Sequence, residues 1–353
     1  MLFVVVGYKM FFFPMLFVLL WWCERSVALV CVGAPDGLAP VGVERLRKAG
    51  LEVVFESTEA AEAVIIRSAT RVDEAWLERH PLVRVVARAG VGVDNVDVAA
   101  CVARGVAVAN TPTASTIAVA ELAVGHLLSA LRRLPVAQES VRAGRFLDFK
   151  GAAGGREAYG KTLGIVGFGA VGQRVAHVAQ ALGMNVIACS SSVKERVSFC
   201  GSLRELFETS DVVSVHVPLA ETTRNLVDYD LLSCAQNLHL VNVARGGIVV
   251  ESDVIRALDA KHLATYSTDV FATEPPDITS PLLTHPSVFL SAHIGAATPE
   301  AQDRVSLGVA DAVIALLHND RIDGDSSLLE EEEEESSWRL LVPPRAPHKS
   351  ILL

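Results

Sequence analysis

From Ser26 onward the chain alternates between two kinds of apolar pattern. Short runs rich in β-branched residues, at 27–32, 51–55, 63–66, 83–87 and 106–109, predict strands. Residues 41–49, closed by Gly50, predict a helix. Ile117, Ala120, Val124, Leu127, Leu128 and Leu131 then recur at helical spacing, which predicts a helix running to about Leu134 and leading from a first domain into a second. Further strands are predicted at 162–166, 185–189, 212–217, 240–243, 268–271 and 288–291. A last helix opens at Thr298-Pro299, an N-cap followed by proline at the first helical position. It carries Val305, Val309, Val313, Leu316 and Leu317 inward and runs to about His318. Strands alternating with helices in this way imply an α/β protein with parallel sheets and right-handed crossovers.

Three stretches stand outside that pattern. Residues 1–22 are nearly all apolar, broken only by Lys9 and Pro14. They are long enough to span a bilayer, yet they lack a basic start and a small-residue cleavage site. A membrane anchor, a targeting segment and an extension foreign to the folded domain all remain open readings. Residues 151–155, Gly-Ala-Ala-Gly-Gly, read as a flexible loop. Residues 319–353, with an acidic run at 330–335 and a proline-rich end, are expected to be a solvated tail.

The formal charge of −10 argues against nucleic acid as a partner. The six cysteines show no Cys-x-x-Cys spacing and lie mostly in apolar runs, as expected of free thiols in a reducing compartment. The ten histidines form no ligand cluster, so no metal is expected.

The most informative stretch is Thr162 to Gly172. An apolar strand ends in Gly167-x-Gly169-x-x-Gly172, and a helix follows with Val171, Val175, Val178, Ala179 and Leu182 on one face. Gly183 stops that helix, and residues 185–189 form the next strand. This is the pattern of a dinucleotide-binding βαβ unit. Gly167 makes the tight turn, Gly169 admits a pyrophosphate and Gly172 lets helix and strand pack closely. The helix N-terminus supplies N–H groups and partial positive charge to the phosphates.

Several further stretches occur in a fixed order over about residues 26–318. They are Ile66-Arg67-Ser68-Ala69-Thr70, Arg88-Ala89-Gly90-Val91-Gly92-Val93-Asp94-Asn95-Val96-Asp97, Asn110-Thr111-Pro112, His216-Val217-Pro218-Leu219, Val241-Asn242-Val243-Ala244-Arg245-Gly246-Gly247, Asp269-Val270-Phe271-Ala272-Thr273-Glu274-Pro275-Pro276 and His293-Ile294-Gly295-Ala296-Ala297-Thr298. Together with the glycine turn they resemble the D-isomer-specific 2-hydroxyacid dehydrogenases, and most of all the branch that acts on 3-phosphoglycerate.

The resemblance implies two doubly wound parallel-sheet domains: a flavodoxin-like substrate domain at 24–119 plus 294–318, and a Rossmann cofactor domain at 120–293. Residues 1–23 would be an extension and 319–353 the tail. It implies an oxidoreductase moving a hydride between NAD or NADP and a D-2-hydroxy acid, with 3-phosphoglycerate oxidation at the start of serine biosynthesis as the expected reaction. A glyoxylate or hydroxypyruvate reductase using NADPH is the alternative within the family, and a dinucleotide-binding corepressor the alternative outside enzymes. A homodimer or homotetramer is implied, with the helix from Ile117 to Leu134 as its contact. The expected location is the cytoplasm, unless residues 1–22 direct the chain to a membrane or organelle.

The resemblance also implies roles for single residues. His293 is the acid/base, since imidazole exchanges protons near neutral pH. Glu274 fixes its tautomer. Arg245 grips the substrate carboxylate through two hydrogen bonds, which a lysine could not do. Asp269 contacts the nicotinamide carboxamide, with a cap or turn role as the alternative. Cofactor contacts are implied at Gly167, Phe168, Gly169, Ala170, Val171, Gly172, Ser190, Val217, Pro218, Val243, Ala244, Arg245, Asp269 and His293. The Val91-Gly92 turn offers N–H groups to the carboxylate, and Arg67 contacts a distal anionic group.

Departures from the family pattern are equally specific. Ser190 stands where NAD-using members carry an aspartate. Ser191, Ser192, Lys194 and Arg196 follow, so the repulsion of a 2′-phosphate is gone and donors are added. Residues 55–63 leave little room for a helix, and a strand–turn piece is expected to be missing between Ser190 and Leu203.

Overall fold

The computed structural model describes residues 30–56, 59–149, 155–190, 197–319 and 337–342. The apolar N-terminal stretch, residues 27–29, most of the 151–155 loop, residues 191–196 and the acidic run at 330–335 lie outside the described residues.

The first unit runs β1 (Cys31–Gly33), α1 (Pro40–Lys48), β2 (Glu52–Val54), β3 (Ala63–Ile66), α2 (Glu74–Arg79), β4 (Val85–Arg88), α3 (Val98–Arg104) and β5 (Ala107–Asn110). These strands are parallel, in the order β2-β1-β3-β4-β5. That is the flavodoxin-like doubly wound order. β3 and β5 are buried along their whole length, which is why they read as continuous apolar runs rather than alternating ones. Between Phe55 and Ala63 no helix is found among the described residues, in line with the shortness of that segment.

Two helices follow, α4 (Thr116–Arg132) and α5 (Leu134–Arg142). The single helix expected up to Leu134 therefore breaks earlier. Arg133 takes a left-handed backbone with φ 52°, and Pro135 sits in the first turn of the next helix. A proline there has no N–H to give and its ring blocks continuation of the preceding helix.

The second unit contains β6 (Thr162–Val166), α6 (Ala170–Ala181), β7 (Asn185–Cys189), β8 (Ser198–Phe199), α7 (Leu203–Thr209), β9 (Val212–Val215), α8 (Tyr229–Leu232), β10 (Leu238–Asn242), α9 (Glu251–Asp259), β11 (Leu263–Thr268), α10 (Pro281–Thr284) and β12 (Val288–Leu290). Its sheet is wholly parallel, in the order β12-β11-β10-β9-β6-β7-β8. That is the Rossmann order with one more strand at the far edge. The expected gap between Ser190 and Leu203 is only partial: the two-residue β8 pairs with β7 there.

The chain then returns to the first unit. The long α11 (Pro299–Asn319) lays Ala301, Val305, Val309, Val313 and Leu316, all buried, toward the first sheet and α1. β13 (Arg339–Val342) adds an antiparallel strand to the edge at β5. This corrects the expectation of a tail solvated throughout 319–353. Trp338 and Val342 are buried, Trp338 in the same core as Val305 and Val309. Averaged over an acidic, proline-rich stretch, six residues of apolar pattern disappear, but an open strand edge needs no more than that to pair.

Among the described residues no helix is long and apolar enough to cross a membrane.

Candidate active site

The residues singled out by sequence converge where parallel strands end, the usual ligand position of doubly wound sheets. The glycine turn lies at the end of β6, beside β9, where the strand order reverses. Gly167 has φ 90° and its N–H donates to the Cys189 carbonyl at 2.9 Å. A Cβ here would collide with the His216 carbonyl, so both conformation and space require glycine. Gly169 and Ala170 are exposed at the tip, and a Cβ on Gly169 would meet nothing within 4 Å. The first turn of α6 leaves the N–H groups of Ala170, Val171 and Gly172 without partners inside the helix, as any helix start does. An open cradle facing a helix N-terminus fits a dinucleotide pyrophosphate. Phe168, by contrast, turns inward: it is buried and packs edge-on against Phe199 at 5.6 Å, leaving only its backbone for a cofactor contact.

Arg245 leaves the end of β10 through a turn that Asn242 staples. The Asn242 side chain, fully buried, accepts from the Ala244 N–H at 3.1 Å and donates to the Arg245 carbonyl at 3.0 Å. The guanidinium reaches the other domain. Its Nε donates to Asp94 Oδ2 at 3.0 Å, and its Nη1 donates to the Ala244 carbonyl at 2.8 Å. Its Nη2 lies against Gly92, where any Cβ would overlap it. The Val91-Gly92 turn is itself held by Asn110, whose Nδ2 donates to the Val91 carbonyl at 2.6 Å.

Arg88 joins this cluster. Its Nη1 donates to the Ala89 carbonyl, while its buried Nε has no hydrogen-bond partner. Burial and the nearby Arg245 and Arg67 push its pKa down to about 10, against the opposing pull of Asp94 and Asp36. Arg245 lies against Gly92 and Arg88 against Gly90, so two guanidinium groups border this turn, with Arg67, Asp94 and Asp36 in electrostatic range of Arg88. Arg67 is anchored through its backbone, donating from N–H to Asp36 Oδ2 at 2.7 Å and accepting from Asn95 at 2.6 Å.

His293 sits in the turn after β12 with φ 51°. Its Nδ1 meets Glu274 Oε2 at 2.6 Å, and the other Glu274 oxygen accepts from the Phe271 N–H at 3.0 Å. The carboxylate thus orients the ring and leaves Nε2 for chemistry. Asp269 holds the turn. Its carbonyl accepts from the His293 N–H at 2.8 Å, and its carboxylate accepts from the N–H groups of Ile294 and Gly295, both at 2.9 Å. It also accepts from Ser291 Oγ at 2.6 Å. Asp269 thus braces the turn that carries His293. Ser291 in turn pairs with His126 Nε2 at 2.8 Å, tying the turn to α4. Because the serine proton goes to Asp269, His126 must donate from Nε2.

Sequence reading passes over His126 and Ser291, and sees Arg88, Asp94, Asn110 and Asn242 only as parts of motifs. Arg88 and Asn242 carry a usable signal, a polar residue closing an apolar parallel strand. His126 carries none, since one histidine on an amphipathic helix looks like ordinary core. Val217 and Pro218 follow the end of β9, with Val217 against Gly167, and Val243 and Ala244 follow the end of β10. Ser190 lies one residue past β7, at the same edge. Among the described residues no group of three histidine, cysteine or acidic side chains could hold a metal.

Residues 124–295 match the family described as D-isomer specific 2-hydroxyacid dehydrogenase, NAD binding domain. D-3-phosphoglycerate dehydrogenase of Methanocaldococcus jannaschii is 36% identical over 278 residues, 76% of this chain and 52% of that protein. The chain spans about half the length of the curated relatives it matches. The TT0316 protein of Thermus thermophilus superposes with a TM-score of 0.77 at 31% identity, covering 82% of this chain and 97% of that one. An NADPH-dependent glyoxylate/hydroxypyruvate reductase of Sinorhizobium meliloti, solved with NADP and malonate, gives 0.74 at 29% identity and covers 82% and 94%.

Proposed function

The chain belongs to the D-isomer-specific 2-hydroxyacid dehydrogenase family, and on that premise we propose that it interconverts a D-2-hydroxy acid and its 2-oxo acid with NAD or NADP. The observations that carry the reading are the His293–Glu274 pair and Arg245, which reaches Asp94 of the other unit and is followed by Gly246, packed against the Phe271 backbone that Glu274 binds. Arg245 orients the substrate carboxylate, with the N–H groups of the Val91-Gly92 turn closing on the same group. In the oxidative direction His293 Nε2 accepts the hydroxyl proton as the C2 oxygen becomes a carbonyl. In the reductive direction it returns that proton. Glu274 keeps Nδ1 protonated and the ring in register throughout. The dinucleotide, held by the glycine turn, supplies the hydride acceptor or donor at its nicotinamide ring.

For the substrate we favour 3-phosphoglycerate, as in serine biosynthesis. Arg88, with a buried nitrogen lacking any partner, borders the Val91-Gly92 turn, and Arg67, in electrostatic range of it, suits a second, distal anion. A second reading, an NADPH-linked glyoxylate or hydroxypyruvate reductase, draws on one observation: Ser190 stands where an acid would repel a 2′-phosphate. We take the assembly to be a homodimer or homotetramer through α4 and α5, which expose Ile117, Leu134 and Val141. The working location proposed is the cytoplasm.

Nicotinamide absorbance tests the reading directly. Oxidation of 3-phosphoglycerate supports the favoured substrate. Turnover of hydroxypyruvate and glyoxylate alone, chiefly with NADPH, moves the assignment to the reductase. A folded protein silent with all of these substrates would sink both.

A further inference from the structure

Two cysteines outside the catalytic cluster stand side by side at the nucleotide end of the cofactor sheet. β7 pairs with β8 in parallel, Ile187 opposite Ser198 and Ala188 opposite Phe199. The next position of that register sets Cys189 against Cys200, and the Cys200 N–H donates to the Ala188 carbonyl at 2.9 Å. Residues paired in register point to the same face, and both thiols pack, half-buried, against the same apolar cluster around Val166, Leu206 and Val215. The described cysteines are free thiols. Neighbouring strands run about 4.8 Å apart, inside the Cα separation that a disulfide spans.

We propose that Cys189 and Cys200 form an oxidisable dithiol whose closure weakens dinucleotide binding. The oxidant is a peroxide. One thiolate attacks an oxygen, the O–O bond breaks, and a sulfenic acid and water result. The second thiolate attacks that sulfur, the S–S bond forms and a second water leaves. Two thiols thus give two protons and two electrons, and the peroxide becomes two waters. Burial and Glu205 hold both thiols above the usual thiol range, so closure is slow at neutral pH and quickens as pH rises.

The consequence lies in what adjoins Cys189. Its carbonyl holds the Gly167 N–H, and Ser190 follows it directly. A disulfide brings its Cβ atoms to about 3.8 Å, closer than strand spacing allows, so one strand must shift. β8 is two residues long and at the sheet edge, so it yields first and drags the end of β7 with it. The shift disturbs the turn that shapes the pyrophosphate cradle and the residue at the ribose. This link to nucleotide binding rests on the dehydrogenase reading, whereas the dithiol itself does not.

The test uses the full chain with hydrogen peroxide at mildly alkaline pH. Intact mass should fall by about 2 Da, for the two hydrogens lost, and peptide mapping should join Cys189 to Cys200. Affinity for NADH or NADPH, read by nucleotide fluorescence, should drop about tenfold and return with dithiothreitol. Phenylarsine oxide, which bridges neighbouring thiols, should block closure in equal stoichiometry. Cys200→Ser and Cys200→Ala should bind nucleotide normally and lose all of these responses. Oxidation to single sulfenic or sulfonic acids without the joined peptide overturns the dithiol. A joined peptide with unchanged nucleotide affinity overturns its control of binding. If the reduced protein binds no dinucleotide, the enzyme reading has failed and the mass result alone decides the dithiol.

Discussion

Arg245 and Asp94 meet at 3.0 Å, one from the second unit and one from the first. The guanidinium expected to receive the substrate carboxylate is therefore already oriented by the opposite domain. Nε is taken by Asp94 and Nη1 by the Ala244 carbonyl, which leaves the Nη2 edge toward Gly92. Asp94→Ala should raise KM for the oxo acid about tenfold, while the dinucleotide Kd stays unchanged. Arg245→Ala and Arg245→Lys should lower kcat/KM by about 10³-fold, since a fork, and not only a charge, is lost. Steady-state kinetics with a parallel nucleotide titration separates the two effects.

Glu274→Gln keeps the size of the side chain and removes its charge. With Nδ1 no longer held by a carboxylate, kcat should fall about 10²-fold with little change in nucleotide Kd. Equal activity of the variant and the parent would deny the pair its catalytic role.

Ser190→Asp restores an acid at the end of β7. The ratio of kcat/KM for NADPH over NADH should shift toward NADH by about 10–100-fold, through repulsion of the 2′-phosphate and new acceptors for the ribose hydroxyls. The comparison needs both cofactors measured on both proteins.

His239, on β10, is buried beside Thr265, with Nδ1 2.8 Å from its hydroxyl. Burial, with Arg156 adding to it, pushes its pKa from 6.5 down to about 4. Between those values the unfolded chain binds a proton that the folded chain refuses. Stability is therefore full above pH 6.5 and is lost as pH falls toward 4, by at most about 3 kcal/mol from this one group. Urea titrations across that window should show the loss, and His239→Gln should reduce it, leaving the share of His216, which burial also pushes down to about 4.

Trp338→Ala removes a buried ring from the core beneath α11. It should cost about 3 kcal/mol and lower the denaturation midpoint, leaving dinucleotide affinity intact. A midpoint identical to the parent's would mean that the return strand contributes nothing.

Much of the fold is legible in the sequence. Buried parallel strands announce themselves as unbroken apolar runs, so β3, β5, β6 and β10 fall within a residue or two of the expected runs. The glycine turn and the His293–Glu274 pairing are legible because each depends on residue types that few other structures need in that order. What escapes is contact between residues remote in sequence and ordinary in type. Ser291 and His126 are 165 positions apart, and neither stands out alone. The break at Arg133 is hidden by an apolar periodicity that carries on past it. β13 is hidden by the acids before it.

The first unit is assembled from both sides of an insertion. Its five parallel strands come first, but the helix that covers one face of them, α11, is translated only after the whole cofactor sheet. During synthesis on the ribosome, then, Val43, Leu46, Ile65 and Ala87 wait with part of their eventual cover still unmade, while the inserted sheet can close from its own residues. The first unit should mature last, and it is the one most dependent on chaperones for protection of a bare apolar face.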